Sequence, residues 1–274
     1  MNEMQAPATL AVLAVTVAVS LWGFNHPAFT ARRLLDPRAV LAGQWDRVVT
    51  SGFLHGGYAH LFFNMYTLWS FGSLLERVYG AWPLLAIHFA GIVGGGMVSV
   101  ALHRNHVYRA LGASGGVSGV VFAAIFLFPG GAVQLMFIPI PIPAWLFALV
   151  FVAGSYLALR KQVGNIGHDA HLGGALCGLL VATLIFPDLP ARQPALFAAV
   201  VLLTGGMIWH AWRFPLPGMR RIDGRTAPPR PGGLTARDQE RLDALLEKVA
   251  AVGLAGLSDD ERTELKRIAD RRRG

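Results

Sequence analysis

Lysine is nearly missing from this sequence, with three residues against 21 arginines; cysteine occurs once, and charge of either sign is scarce before residue 213. The lone cysteine, Cys177, excludes an intrachain disulfide and any multi-cysteine metal centre. It is expected to pack as a small apolar side chain. Charged residues make up 15% of the chain and hydrophobic ones 54%, with a mean hydropathy of +0.47. A soluble domain carries about 25% charge, so an ordinary soluble fold is excluded. Of the 40 Asp, Glu, Lys and Arg residues, 16 lie in the first 212 positions and 24, 14 basic and 10 acidic, in the last 62. A basic leader and a small-x-small cleavage site are also missing around the first apolar run, which MNEMQAP precedes and LWGFNHP follows. That run reads as a retained span and not a removed signal peptide.

What is present is a series of apolar runs near 7–24, 57–79, 82–102, 113–129, 144–159, 166–186 and 194–212. Each approaches the roughly 20 residues that cross about 30 Å of hydrocarbon. The expected fold is all-α, a polytopic membrane helical bundle of seven spans over residues 1–212. The Pro/Gly/Arg-rich stretch 213–233, containing PLPGMRRIDGRTAPPRPGG, reads as a linker. Residues 234–274 read as a small charged helical hairpin. Thr235 and Ser258 are its candidate N-caps, the second within the capping box SDDE, and Leu242, Leu245, Leu246 and Val249 share one helix face. The mixed-sign charge of this tail is that of a solvated surface, so no nucleic-acid partner is expected.

Ionisable and polar groups inside a membrane are costly and mark functional sites by default. Three clusters stand out: His55, His60 and Asn64 at the start of the second span, Ser114 and Ser118 at the start of the fourth, and His168, Asp169 and His171 at the start of the sixth. Even-numbered spans enter the membrane in the same direction, so the clusters share one face and one shallow depth. Gly115 and Gly119 on the fourth span and Gly174 and Gly178 on the sixth form GxxxG pairs, which let helix backbones approach closely. Such packing can bring a serine to a histidine, and Ser–His chemistry is nucleophilic catalysis with imidazole as general base. Asp169 cannot orient His171, because i,i+2 side chains on a helix do not face each other; a dyad is expected. The unpaired N–H groups at the head of the fourth span, with His60 and Asn64 at i,i+4, could form an oxyanion hole.

Other chemistries fit less well. GASGG matches the G-x-S-x-G elbow of α/β-hydrolases, which needs a preceding strand and a soluble sheet. A metal site from His55, His60, His168, Asp169 and His171 is conceivable, but no HExxH occurs and no metal or other cofactor is expected.

The stretch QWDRVVTSGFLHGGYAHLFFNMYTLWSFGSLLERVYG, then LGASGGVSG, then DAHLGGALCGLL, resembles the rhomboid intramembrane serine proteases over roughly residues 7–186. HxxxN, GxSG and AHxxG occur in that family's order. The resemblance implies a six-helix core around a water-filled cavity, here with one additional C-terminal span. It implies Ser114 as nucleophile, His171 as base, and His60 and Asn64 as oxyanion-hole side chains. Glu76 matches a carboxylate that ties helices together, and the loop at about 25–56, with Trp45–Arg47, lies at the membrane surface. Substrates would be transmembrane proteins, met within membrane lipid.

The chain departs from the family at Ser118, where an aromatic residue often supports the imidazole. Ser118 also creates a second GxSG and a rival nucleophile, about 6 Å deeper along the helix than Ser114. Prolines 139, 141 and 143 in FIPIPIPAWLF are expected to give an extended lead-in to a short fifth span of about 16 residues, a lateral gate that Trp145→Ala or Phe147→Ala would loosen. Family precedent puts the active-site face away from the cytoplasm. The basic residues Arg32, Arg33, Arg38, Arg47, Arg104, Arg109, Arg160 and Lys161 on that face, against Arg77 and Arg192 opposite, favour the reverse by the positive-inside rule. The expected location is the bacterial inner membrane. The competing functions are a catalytically silent rhomboid-like binder of transmembrane helices and a solute transporter, the latter disfavoured because no inverted repeat is evident.

Overall fold

The computed structural model describes residues 6–134, 136, 140–164, 166–214, 216–217, 219, 241–242, 244–245, 248–249 and 256–273. It forms two compact units, Met1–Arg221 and Ile222–Gly274.

The first unit is a helical bundle. Its long helices are α1 (Pro7–Asn25), α5 (Tyr58–Tyr79), α6 (Ala81–His103), α7 (Ser114–Leu127), α8 (Ala144–Lys161), α9 (His168–Ile185) and α11 (Pro194–Arg213). They fall on the seven apolar runs. Five of them, α1, α6, α8, α9 and α11, are long and apolar enough to cross a membrane unaided. The exceptions have physical causes. Helix α5 carries His60, Asn64, Glu76 and Arg77, and α7 has 14 residues, only about 21 Å of rise. Thirteen of those 14 are buried, so α7 is surrounded by protein and need not match the bilayer.

Short helices α2 (Pro27–Arg33), α3 (Pro37–Leu41) and α4 (Asp46–Thr50) build the loop between α1 and α5. Pro27 and Pro37 each open a helix at a position that needs no N–H donor, and Asp36 caps α3 by accepting from Arg38 N at 3.0 Å. Arg47 fastens the loop, donating from Nη1 to the carbonyls of Ala31 (3.1 Å) and Leu34 (2.9 Å). At the opposite end Glu76 of α5 accepts from Ala8 N (2.8 Å), Thr9 N (2.7 Å) and Thr9 Oγ1 (2.6 Å). A carboxylate from one helix thus caps the free amides of another.

The centre is a three-helix contact among α6, α7 and α9, and glycine makes it possible. A Cβ on Gly174 would land on the Gly115 carbonyl, and one on Gly178 on the Gly119 Cα. One on Gly91 would lie 2.6 Å from the Gly115 carbonyl oxygen. Helix α8 packs on α9 and α11, with Tyr156 Oη 2.7 Å from His210 Nδ1. It has 18 residues rather than about 16; Arg160 and Lys161 extend it by complementing its C-terminal dipole. Its lead-in is extended as expected at Ile142–Pro143 (β2), which pairs antiparallel with Ala132–Val133 (β1). Pro139 lies outside the described residues. Helix α10 (Leu189–Arg192) follows α9. Its Arg192 donates to the Leu127 carbonyl at the foot of α7.

In the second unit Leu242, Leu245, Leu257 and Ile268 form a small core, with Val249 and Leu265 against it. Helix α12 (Asp259–Arg273) starts with the expected reciprocal cap: Glu261 N donates to Ser258 Oγ (3.2 Å) and Ser258 N to Glu261 Oε2 (2.9 Å). Lys248, together with the Ser258 amide, draws the Glu261 carboxyl down to about 2. Linker residues 215, 218 and 220–233, together with Thr235 and Leu246, lie outside the described residues.

Candidate active site

Ser114 is the first residue of α7, so its amide and the next ones have no intrahelical acceptor. The segment leading to it is held by two loops. Leu35 and Ala110 exchange backbone hydrogen bonds of 2.8 and 3.0 Å, and Gly112 N donates to Ser51 O at 3.0 Å. Ala113 N donates to His55 Nε2 at 3.3 Å.

The His55 tautomer follows from its other partner. Ser20 Oγ donates its only proton to Phe53 O (2.9 Å), so at the 2.9 Å contact with His55 Nδ1 the imidazole must donate. Nε2 is then the acceptor, which requires neutral His55. Burial, with His60 adding repulsion, pushes the His55 pKa down to about 3.

Gly112 has φ +138°. A Cβ there would lie 2.8 Å from His60 Cε1, 2.9 Å from Nε2 and 3.8 Å from Ser114 Oγ. Glycine is demanded twice, by the backbone and by the imidazole that fills the side-chain space. Ser51, His60, Gly112, Ser114, Gly167 and Ala170 border a cavity of about 30 Å³, room for about one water. It brings the heads of α5, α7 and α9 to one place.

His171 lies one turn into α9. The residue before it, Ala170, has its carbonyl oxygen 3.4 Å from a Cβ position on Gly115 and lines the cavity with Ser114, whereas His171 is not in that lining. Among the described residues no hydrogen bond joins His171 to Ser114; its ring meets His168 (centroids 5.7 Å, 88°) and Phe151 of α8 (5.8 Å, 33°). Asn64 is buried one turn below His60, outside the cavity lining, and donates from Nδ2 to His60 O at 2.9 Å, leaving one amide proton. Ser118 is buried one turn below Ser114, and Gly115, Gly119, Gly174 and Gly178 form the α7–α9 contact. His168 lies 3.2 Å from Val163 O.

Asp169 is fully buried and turned to other partners. Tyr108 Oη donates to its two oxygens at 2.9 and 3.1 Å, and His103 Nε2 is 3.1 Å away. His103 stacks on Tyr108 at 3.7 Å. Burial and Asp169 push the Tyr108 phenol well above its ordinary value. With His55 and Asp169 so engaged, the histidines and carboxylate considered as metal ligands do not converge; among the described residues no three such side chains do.

Gly112, Phe151 and Tyr108 escaped sequence reasoning, and His55 was singled out there without its bond to the Ala113 amide. A signal existed only for Gly112, which stands in the LGASG motif. The other three act through contacts with residues 20–61 positions away.

A buried glycine-packed helix headed by serine, with histidines from two neighbouring helices at the same end of a membrane bundle, defines a rhomboid-type architecture. The chain belongs to the rhomboid family: the Rhomboid domain matches residues 42–188, more than half of it. It is 33% identical over 137 residues to Rhomboid protein 1, mitochondrial, of Saccharomyces cerevisiae, covering 48% of this chain and 40% of that one. It is 33% identical over 171 residues to RHOMBOID-like protein 12, mitochondrial, of Arabidopsis thaliana (56% and 50%). To Rhomboid protease GluP of Bacillus subtilis it is 31% identical over 180 residues (64% and 34%). The chain spans half or less of the length of these curated relatives.

Proposed function

We propose that the protein is an intramembrane serine endopeptidase that cleaves transmembrane-helix substrates with a Ser114–His171 dyad. The observation that carries this reading is the convergence of Ser114, His60 and the start of α9 on one cavity, with Gly112 kept bare beside them. A relative named as a protease, GluP, supports it. In the proposed reaction Ser114 Oγ attacks the scissile carbonyl while His171 takes its proton. The oxyanion is met by the free amides at the head of α7 and by donors from His60 and Asn64. His171 then protonates the leaving amine, and a water activated by the same imidazole hydrolyses the acyl-enzyme. Helix α7 contributes a positive dipole end at the site of developing charge.

The reaction needs Ser114 and His171 to come into hydrogen-bond reach, and catalytic hydrogen bonds tighten in the substrate complex. Transmembrane proteins are the proposed partners. The proposed location is a bacterial cytoplasmic membrane, on the arginine-rich composition; of the three relatives above, two are named as mitochondrial and one is from Bacillus. The test is cleavage of a generic transmembrane substrate in detergent or liposomes. Wild type should cleave, Ser114→Ala and His171→Ala should not, and His168→Ala should retain activity. Equal cleavage by wild type and Ser114→Ala contradicts the proposal, and no cleavage by a folded wild type favours a silent helix binder.

A further inference from the structure

Given the dyad proposed above, the base needs something to hold its ring. A histidine that abstracts a proton must keep one ring nitrogen aimed at the nucleophile, and its χ2 torsion is soft. In many Ser–His sites a carboxylate fixes that torsion. Here the nearby carboxylate, Asp169, is engaged by Tyr108 and His103.

We infer that Phe151 of α8 is the positioning residue for His171, so that the alignment of the base is set by the helix next to the proposed substrate entrance. The Phe151 ring meets the imidazole at 5.8 Å and 33°. It is itself fixed from two sides, by Phe122 of α7 (5.4 Å, 61°) and by Phe147 one turn away (5.8 Å, 34°). Phe122 is fully buried. A row of rings therefore runs from α7 through α8 to the base on α9. The other ring against His171, that of His168, contacts it edge-on and is tied to the Val163 carbonyl in the α8–α9 loop, so it offers a weaker stop. Ser118, one turn below the nucleophile, supplies no ring from α7. With α8 in place the imidazole has an aromatic wall. Displacing α8 removes that wall, so opening for a substrate and alignment of the base are coupled through one side chain.

The test uses fluorophosphonate labelling of the full-length protein, because a small probe reaches Ser114 without a lateral entrance. Phe151→Leu, which keeps most of the volume, should label about tenfold more slowly. Its rate should also lose most of the pH dependence that histidine deprotonation gives wild type. Phe151→Tyr should label like wild type, and adding Ser118→Phe to Phe151→Leu should recover much of the rate by offering a ring from α7. Wild-type rate and pH profile in Phe151→Leu overturn the inference. So does a slow Phe151→Leu that neither aromatic replacement rescues, since that marks a packing role alone. Unchanged labelling in His171→Ala instead overturns the dyad.

Discussion

At the residue scale, His60 shares the cavity wall with Ser114, and two further side chains stand around that pair. His60 presents its ring beside Gly112, Asn64 stands behind it with one amide proton in use, and His55 holds the Ala113 amide. Loss of a single oxyanion donor costs about 10²–10³ in kcat. His60→Ala and Asn64→Ala should therefore cleave slowly while melting near the wild-type temperature; wild-type rates in both would leave these residues a helix-bridging role. His55 makes a separate prediction. Its folded pKa of about 3 lies below the ordinary 6.5, so the unfolded chain binds the proton more readily. The stability that neutral His55 contributes is complete above pH 6.5, shrinks below it, and is gone under about pH 3. Thermal melting in detergent should fall across that window, and less steeply in His55→Gln, which keeps an acceptor without titrating. An identical pH slope in the variant contradicts this account of the Ala113 bond.

At the scale of elements, the helices were legible and their lateral partners only partly so. Long apolar runs reproduce the seven long helices to within a few residues, because hydrocarbon thickness and helix rise leave little choice of length. Glycine spacing indicated which faces could approach, and the backbones of α7 and α9 do meet at Gly115, Gly119, Gly174 and Gly178. What holds α8 was not legible. Trp145 is half exposed and contributes little to its seating, whereas Tyr156 bonds His210 of α11 at 2.7 Å, across 54 residues of sequence. No local pattern announces such a pair. If α8 borders the entrance, removing this tie should ease its movement. Tyr156→Phe should raise the cleavage rate of a transmembrane substrate. A slower or unchanged cleavage rate would mean that the tie does not restrain entry.

At the scale of the whole molecule, the chain combines a glycine-packed membrane bundle with a second, charge-rich helical unit, and the division is visible in the sequence as the shift in charge after residue 212. The candidate site was legible as three polar clusters at one depth, and the pairing of Ser114 with His171 came from family resemblance. The supports around them depend on chain segments that meet only in the fold: the loop before α7 on the loop before α5, the N-terminal helix on Glu76, and α8 on His171. A small cavity lies among these segments, with Ser114 on its wall and Ser118 buried a turn below. The central claim is that Ser114 is the nucleophile. Mass-spectrometric mapping of a fluorophosphonate adduct on the full-length protein tests it most directly. The account predicts the adduct on Ser114, absent in Ser114→Ala and His171→Ala and present in Ser118→Ala; an adduct on Ser118, or one that persists in Ser114→Ala, would contradict it.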